Sequence, residues 1–324
     1  MNSNLHYQAV ASVNEWVEGK MLSVWFKQKT VVLLRNQGKI AAYENYCPHR
    51  GVPLSEGFLV NGEIHCRYHG WRFDCETGNN TFVPVKNAAV NCHLKKYFAL
   101  EKYGLIWLST EENAILPSLF DEKPMLFTQG TINAKLANAL ENFLEGSHTH
   151  YIHEGWIRSQ KAKRQPINAT LVPNAQGFKV YYEIEKAKGF ITQILPKKYQ
   201  NLSPVATYIY PNTTILEYFN FENVLIARFE NIMSERERET QYIARIFLNV
   251  GFFSPILAQF AKAVFFKVIS QDKEILETQA NNLAIFPENN FFSDETDLVG
   301  KQIFAWLYHQ EKILVESVNF IVYW

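Results

Sequence analysis

The sequence predicts an α+β fold with an N-terminal antiparallel β domain and a C-terminal antiparallel sheet flanked by helices. Short runs rich in Val, Ile, Phe, Tyr and Thr, separated by turn residues, occupy residues 5 to 109 and return after Pro166. Apolar residues at helical spacing lie between these two regions and again from Pro255. A chain of 324 residues corresponds to about two domains, which we place at 1–112 and 113–324.

The N-terminal domain is predicted to consist mainly of β-hairpins. Met21 to Phe26 and Thr30 to Arg35 have strand composition. Asn36-Gln37-Gly38-Lys39 is typical of a hairpin turn, because Asn and Gly tolerate positive φ, and it leads into a strand over Ile40 to Tyr43. Further strands are expected at 71–74, 98–101 and 105–108.

The C-terminal domain is predicted to begin with a strand at Thr131 to Lys135 and a helix at Ala137 to His148. A helix is then expected from Pro255 to Leu283, and a last helix from Val299 to Val318. Between them, alternating β-rich stretches and turns predict an antiparallel meander with strands at 170–172, 178–184, 207–210, 213–219, 224–233 and 239–249.

Composition narrows the class of protein. Hydrophobic residues make up 47% of the chain and aromatic residues 15%, which suits a large core or an apolar ligand pocket. The 32 basic residues equal the 32 acidic residues in number, so nothing favours nucleic-acid binding. Four cysteines are too few for a disulfide scaffold, and Cys75 and Cys92 are expected to be free thiols in a reducing compartment.

The N-terminal residues and the most apolar window of the sequence indicate where in the cell the protein is expected. The first residues lack a basic start followed by an apolar run, so no signal peptide is predicted and a cytoplasmic location is expected. The window Val250 to Ile269 contains Gln259, Lys262 and Lys267. It therefore predicts a buried or amphipathic helix rather than a membrane span, with contact at a membrane surface as the alternative.

Two Cys/His pairs form the strongest motif. Cys47 with His49 and Cys66 with His69 are separated by the sixteen residues from Arg50 to His65. Zinc sites usually pair two cysteines, whereas here each pair combines one thiolate and one imidazole. This is the pattern of a two-iron, two-sulfur cluster in which thiolates hold one iron and imidazoles the other, although a zinc knuckle or buried side chains are the alternatives.

This stretch resembles the Rieske iron–sulfur motif, CxH followed about sixteen residues later by CxxH. Its flanking residues resemble the oxygenase branch of that family: Pro48, Arg50, Gly51, Tyr68, Gly70 and Trp71. The resemblance implies that Cys47, His49, Cys66 and His69 bind a [2Fe-2S] cluster in a Rieske domain.

A second group of histidines lies at the end of the helix predicted over 137–148. His148 and His153 could share one metal if the helix breaks between them, and His150 competes because it would share a face with His148 in an extended segment. Glu145 is too close in sequence to be the obvious third ligand, but it is well placed to hydrogen-bond a ligand histidine. Asp272, which follows the apolar window, is the better carboxylate candidate, and two His with one carboxylate are typical of non-haem iron(II) oxygenases.

The residues from Asn142 to His153 resemble the mononuclear-iron motif of Rieske oxygenase large (alpha) subunits. This resemblance implies that His148, His153 and Asp272 bind iron, and that Asn142 lies near it. Glu145 stands where the family more often has Asp, an acid that links the iron site to the cluster of a neighbouring subunit. The C-terminal domain is accordingly expected to be helix-grip-like.

The resemblance implies a terminal oxygenase that takes electrons through the cluster to the iron and uses O2 to oxidise a small organic substrate. Monooxygenation, by hydroxylation or O/N-demethylation, is favoured over dihydroxylation of an aromatic ring. The rival hypotheses are a Rieske electron-transfer protein and a zinc-containing structural protein. The chain contains no G-x-G-x-x-G fingerprint, so a reductase or ferredoxin is expected to supply electrons from NAD(P)H. A homotrimer is expected, and aromatic residues of the second domain are candidates to line its pocket: Phe190, Ile191, Tyr208, Tyr210, Phe219, Phe221 and Phe229.

Overall fold

Two units divide the chain in the computed structural model, Asn2–Lys123 and Pro124–Trp324. The sequence analysis placed the domain boundary between residues 112 and 113. In the structure the first unit extends to Lys123, and residues 113 to 123 therefore group with it. The described residues are 6–15, 17–158, 164–184, 201–237, 239–249, 254–287, 291–308 and 313–324.

In the part of the first unit that the structure describes there are ten strands: β1 (Gln8–Ser12), β2 (Met21–Phe26), β3 (Lys29–Asn36), β4 (Lys39–Glu44), β5 (Phe58–Val60), β6 (Glu63–His65), β7 (Arg72–Asp74), β8 (Asn80–Phe82), β9 (Lys96–Lys102) and β10 (Leu105–Ser109). Six of them form an antiparallel sheet in the order β1-β10-β9-β4-β3-β2, and the other four form the sheet β5-β6-β7-β8. The predicted antiparallel β architecture of this unit is confirmed.

The hairpin between β3 and β4 illustrates how local sequence sets this architecture. Gln37 and Gly38 have φ values of 52° and 76°, the left-handed values of a type I′ turn. The flanking residues Asn36 and Lys39 pair with each other, and the register continues to Val31 opposite Glu44. The strand β3 is buried on both faces, with Val31 and Leu33 in one apolar cluster and Val32 and Leu34 in another.

The described residues of the second unit form eight strands and three α-helices: β11 (Leu126–Ile132), α1 (Leu136–Leu144), β12 (Pro166–Asn174), β13 (Gly177–Tyr182), β14 (Ser203–Ile209), β15 (Thr213–Phe219), β16 (Leu225–Arg236), β17 (Glu239–Leu248), α2 (Ser254–Ile285), α3 (Leu298–Leu307) and β18 (Val318–Tyr323). The strands form one antiparallel sheet in the order β11-β17-β16-β15-β14-β13-β12-β18. Strands β12 to β17 are thus the predicted meander.

One face of this sheet carries the largest core of the unit. Leu140 of α1 and Ile303 of α3 are fully buried against it. Leu276 of α2 is buried in the same cluster, so all three helices take part. On the sheet side, Val180 and Tyr208 are fully buried in this cluster. Three helices are therefore held against one sheet face by apolar burial, which stabilises such layers at roughly 25 cal/mol per Å² of apolar surface.

The last helix, predicted over 299–318, is wrong at its C-terminal end, because the described residues 313–318 are not helical. The helix α3 ends at Leu307, and Val318–Tyr323 is the edge strand β18, which pairs with β12 from Leu171 opposite Val318 to Pro166 opposite Tyr323. Its side chains alternate between partly buried and exposed, the period of a strand. The run VNFIVY is rich in β-branched and aromatic residues, as strands prefer, and only its first residue, Val318, lies within the predicted helix.

The apolar window of the sequence falls largely in α2, where Val264 and Phe265 are buried while Phe266 is 42% exposed. This mixture is that of an amphipathic helix. Within the described part of the chain, no helix combines the length and the apolar character that a membrane crossing requires.

A buried ion-pair network lies among the central strands of the eight-stranded sheet. The Glu230 carboxylate on β16 is fully buried and accepts hydrogen bonds from Arg228 Nε and Arg245 Nη1, each at 2.8 Å. Arg245 lies directly opposite Glu230 on β17 and its side chain is 1% exposed. Arg228 also pairs with Glu217 at 2.6 Å, so Glu230 matters most for the buried Arg245, because buried charges are costly without partners.

Replacing Glu230 with Ala should lower the free energy of unfolding by about 3–5 kcal/mol, because Arg245 would lose its carboxylate in a buried setting. The midpoint of urea unfolding measures this change. Lys29→Ala, which breaks an exposed pair with Glu44 at 2.7 Å, is the control. The control should cost about 0–1 kcal/mol, and equal losses for the two variants would contradict the prediction.

The contact between α1 and α3 contains a buried acid. A Cβ at Gly300 would lie only 1.9 Å from Glu141 Oε1, so the carboxyl group occupies the space that a side chain would need. Burial, together with the nearby carboxylates of Glu145 and Asp297, raises the pKa of Glu141 to about 7. The group is therefore at the edge of ionisation at neutral pH.

Since the pKa of Glu141 in the folded chain lies above its ordinary value of 4.5, the neutral acid stabilises the fold. That contribution is complete below pH 4.5 and is lost as the pH rises through 7. Glu141→Gln should remove this part of the pH dependence. Urea midpoints at about pH 5 and about pH 8 should differ less in the variant than in the wild type, and an unchanged difference would count against the assignment.

Candidate metal centres

The first candidate site begins in the loop between β4 and β5. The Cys47 N–H donates to the Val52 carbonyl at 2.9 Å, and the Gly51 N–H donates to the Cys47 carbonyl at 2.8 Å. Gly51 has a φ of 76°, and a Cβ there would approach Tyr46 Cε2 at 2.9 Å. This position therefore favours glycine for two reasons, its left-handed backbone and its tight contact.

The loop between β6 and β7 repeats the same pattern of hydrogen bonds. The Cys66 N–H donates to the Trp71 carbonyl at 2.9 Å, and the Gly70 N–H donates to the Cys66 carbonyl at 3.0 Å. Gly70 also adopts a positive φ, of 70°. The two loops are thus equivalent turns that each present one cysteine near the start of the turn.

These loops bring together the four residues that the sequence singled out. The side chains of Cys47 and Cys66 are within hydrogen-bonding contact, and both residues are buried, at 2% and 4% exposure. The rings of His49 and His69 have centroids 4.6 Å apart at an interplanar angle of 74°. Trp71 stacks on His49 at 4.8 Å and 9°, which limits rotation of that imidazole.

The surroundings of the sulfur pair test whether a metal cluster fits. Burial raises the pKa of the Cys47 thiol to about 11, while the backbone N–H groups of His49 and Arg50 donate to its sulfur and favour the thiolate. A positively charged metal would offset the burial cost of thiolates here. His49 Nδ1 is also buried with no hydrogen-bond partner among the described residues, so it is an available ligand atom. The residues fit a mixed thiolate–imidazole cluster.

The second candidate site follows α1. The helix predicted over 137–148 ends earlier, at Leu144, and Glu145 is extended with φ −84° and ψ 144°. A short 3-10 helix at Ser147–His150 follows. This break turns the chain so that His148 and His153 approach one point, with ring centroids 5.2 Å apart.

Asp272, from α2, completes a group of three possible metal ligands. Its Oδ1 lies 3.0 Å from His153 Nε2 and 3.5 Å from His148 Nε2. The ligand atoms of the three residues all lie within 4.8 Å of one another. His150, the competing residue, is 3% exposed and is not part of this group.

The buried polar atoms at this point fit a cation. His153 Nε2 and Asp272 Oδ1 are both buried, and neither has a hydrogen-bond partner among the described residues, although they lie 3.0 Å apart. Buried polar atoms are rarely left unsatisfied. Two imidazole nitrogens and one carboxylate oxygen form the facial donor set that binds non-haem iron(II) and leaves further positions open.

Glu145 contacts the Nδ1 side of the His148 ring, opposite the Nε2 atom that faces Asp272. Its Oε1 lies 2.5 Å from His148 Nδ1, and its Oε2 accepts the Ser147 N–H at 2.7 Å and the Ser147 hydroxyl. Burial would raise the pKa of Glu145, but the hydrogen bonds from His148 and Ser147 hold it below its ordinary value. A carboxylate at this position accepts the Nδ1 proton and so leaves the Nε2 lone pair free for a metal.

The sequence analysis missed Arg158, whose side chain forms a brace for the loop after α1, that is, a set of hydrogen bonds that hold its backbone in place. Arg158 Nη1 donates to the Gly146 carbonyl at 2.6 Å and to the Thr149 hydroxyl, and its guanidinium lies 4.3 Å above the Trp324 ring. A Cβ at Gly146 would lie 2.5 Å from Trp324 Cζ2, so the loop packs directly on the indole. No local pattern pointed to Arg158 or Trp324, because both reach the loop through tertiary contacts.

The remaining predicted site residues are less informative. Asn142 lies half-buried in the last turn of α1. Among the candidate pocket residues, Tyr208 and Tyr210 belong to the buried core, and Phe221 is 67% exposed. Phe190 and Ile191 lie outside the described residues.

Comparison with known proteins agrees with the first site. Residues 6–98 match the Rieske [2Fe-2S] domain family. The chain is 30% identical over 175 residues to 4beta-methylsterol monooxygenase of Methylococcus capsulatus, covering 49% of this chain and 46% of that protein. It is 28% identical over 169 residues to the vanillate O-demethylase oxygenase subunit of a Pseudomonas species, covering 49% and 48%. The chain spans about half the length of the curated relatives it matches.

The fold is shared over nearly the whole chain. Dicamba monooxygenase bound to 3,6 dichlorosalicylic acid superposes with a TM-score of 0.80 at 19% sequence identity, covering 96% of this chain and 98% of that one. The family match of residues 6–98 supports a [2Fe-2S] cluster in the first unit, and the chain shares its fold with dicamba monooxygenase. The chain thus contains a Rieske [2Fe-2S] domain at residues 6–98, and over about half of its length it is similar in sequence to proteins named as monooxygenase and demethylase oxygenase subunits.

Proposed function

We propose that this protein is a terminal oxygenase component that oxidises a small organic substrate with O2. The observation that carries the proposal is the convergence of His148, His153 and Asp272, with ligand atoms within 4.8 Å, in a chain that also contains a Rieske domain. A protein that only transfers electrons does not need this second group of ligands.

In this proposal the four loop residues Cys47, His49, Cys66 and His69 hold the cluster. The buried cysteines supply the two thiolates, and the backbone N–H groups that donate to Cys47 stabilise their negative charge. The imidazoles of His49 and His69 lie on the more exposed side, and neutral imidazole ligands raise the potential above that of an all-thiolate cluster. The cluster would therefore accept electrons from a partner that reaches this side.

His148, His153 and Asp272 would hold the mononuclear iron. When bound, the iron supplies the activation of dioxygen. The protein's part is to hold both Nε2 lone pairs toward one point and to place one carboxylate charge beside them. Glu145 retains the Nδ1 proton of His148, and Arg158 holds the backbone at Gly146. We place Asn142, in the last turn of α1, near the iron.

We infer that the reaction is a monooxygenation, either hydroxylation or O/N-demethylation. The relatives named 4beta-methylsterol monooxygenase and vanillate O-demethylase oxygenase subunit support this reaction class. Removing a methyl group begins with insertion of one oxygen atom into a C–H bond, so the two outcomes need the same site. The substrate would be an apolar or partly polar small molecule.

The electron donor would be a reductase or ferredoxin that draws on NAD(P)H, in the cytoplasm, where the unpaired Cys75 and Cys92 remain reduced. We further propose a homotrimer in which Glu145 faces the cluster of a neighbouring chain. Exposed apolar residues beside the cluster loops support such a contact, since Tyr46 is 56% and Tyr68 60% exposed.

Asp272→Ala should abolish substrate-dependent oxygen uptake while leaving the visible spectrum of the cluster unchanged. Iron and acid-labile sulfide should fall from about 3:2 to about 2:2, because only the mononuclear iron is lost. Glu274→Ala, at an exposed position of the same helix, is the control and should behave as the wild type. Oxygen uptake that survives in Asp272→Ala would refute the proposed ligand set.

Arg158→Met should weaken iron binding about 10- to 100-fold, because outer residues that orient ligands commonly have effects of this size. Methionine has a long side chain but loses the guanidinium, and with it the bonds to Gly146 and Thr149 and the charge above the Trp324 ring. Titration of the iron-depleted second site with Fe²⁺ under anaerobic conditions measures the change. Arg164→Met is the matched control, since Arg164 is exposed and bonds the Tyr151 hydroxyl instead. Identical affinities for both variants would contradict a role for the brace.

A further inference from the structure

We propose that Gln271 is a positioning residue that selects the metal-binding tautomer of His153 and keeps the iron site electrically neutral. The inference rests on the proposed iron site and adds a residue and a charge balance to it. Neither the sequence motifs nor the ligand set assigned Gln271 a role.

The geometry places Gln271 and Asp272 on the two nitrogens of one ring. Gln271 Oε1 lies 3.2 Å from His153 Nδ1, and Asp272 Oδ1 lies 3.0 Å from His153 Nε2. The His153 side chain is 1% exposed, so water cannot replace either partner freely. Adjacent residues of α2 therefore hold the imidazole from opposite sides.

The hydrogen bond decides which nitrogen can bind a metal. A neutral imidazole has one N–H donor and one acceptor nitrogen. When the Gln271 amide oxygen faces Nδ1, the proton must lie on Nδ1, and the Nε2 lone pair is free. The fact that Nε2 makes no hydrogen bond within the described residues agrees with this tautomer.

The second function of Gln271 is to accept this hydrogen bond with a neutral amide, so that no further negative charge is placed at the proposed iron site. The site already contains two carboxylates, Asp272 beside the ligand nitrogens and Glu145 at 2.5 Å from His148 Nδ1. Together they balance one divalent cation. A carboxylate at position 271 would add a third negative charge within contact of His153, and it would polarise that imidazole as Glu145 polarises His148.

The two histidines are consequently inequivalent. His148 faces an anionic acceptor at 2.5 Å, whereas His153 faces a neutral amide at 3.2 Å. A carboxylate acceptor raises the basicity of a ligand imidazole more than an amide does. His148 is therefore the stronger donor, and His153 together with Gln271 limits the total electron donation to the metal.

The test titrates Co²⁺ into protein that retains its cluster but lacks the mononuclear metal. Gln271→Met keeps the length of the side chain but removes the acceptor, and it should raise the Kd for Co²⁺ about 10- to 100-fold. Gln271→Glu restores an acceptor and adds a charge, so it should bind Co²⁺ at least as tightly as the wild type. Its Co²⁺ d–d absorption bands should shift, since the ligand field changes.

Gln279→Met and Gln279→Glu, at an exposed position of α2, are the matched controls and should reproduce the wild-type Kd and spectrum. A Gln271→Met variant that binds Co²⁺ within twofold of the wild type would overturn the inference. So would Gln271→Glu with wild-type bands, or with binding as weak as that of Gln271→Met. If the wild type itself bound no Co²⁺, the proposed iron site would fail instead.

Discussion

The extended backbone at Glu145 is the constraint on which the second metal centre depends. The helix α1 ends at Leu144, and the break lets His148 and His153 approach one point instead of lying on different faces of a continuous helix. The same break places the Glu145 carboxylate behind His148. One change of backbone direction thus provides two candidate ligands and the support for one of them.

The break is maintained by contacts from distant parts of the chain. Arg158 bonds the Gly146 carbonyl, and Trp324, which follows the edge strand β18, packs against the Gly146 backbone. Asp272 and Gln271 come from α2, more than a hundred residues after His153. The apolar cluster that holds α1, α2 and α3 on the sheet is therefore what allows these groups to meet. The burial of apolar surface supplies the rigidity that a ligand set needs.

Both candidate centres show how buried polar atoms can indicate chemistry. In the first unit, Cys47 and Cys66 are buried together and His49 Nδ1 has no hydrogen-bond partner within the described ranges. In the second unit, His153 Nε2 and Asp272 Oδ1 are likewise buried without a hydrogen-bond partner among the described residues. The Glu230 network differs, since its carboxylate is hydrogen-bonded to two arginines. In the second unit the unsatisfied atoms are a ring nitrogen and a carboxylate oxygen only 3.0 Å apart, and this convergence of two possible ligand atoms is what fits a cation.

The sequence by itself determined the α+β class, the hairpins and the cluster loops, because turn residues, strand composition and the Cys/His spacing are local properties. It failed after Leu307, where the predicted helix stops short of Val318, and it did not foresee the strand Val318–Tyr323 that pairs with β12. The resemblance named Asp272 together with His148 and His153, but the distances that join them, like the contacts of Gln271 and Arg158, are visible only in the tertiary structure. The reason is physical: these side chains are close because a sheet and three helices bury a common core, and that proximity has no periodic signal in the chain.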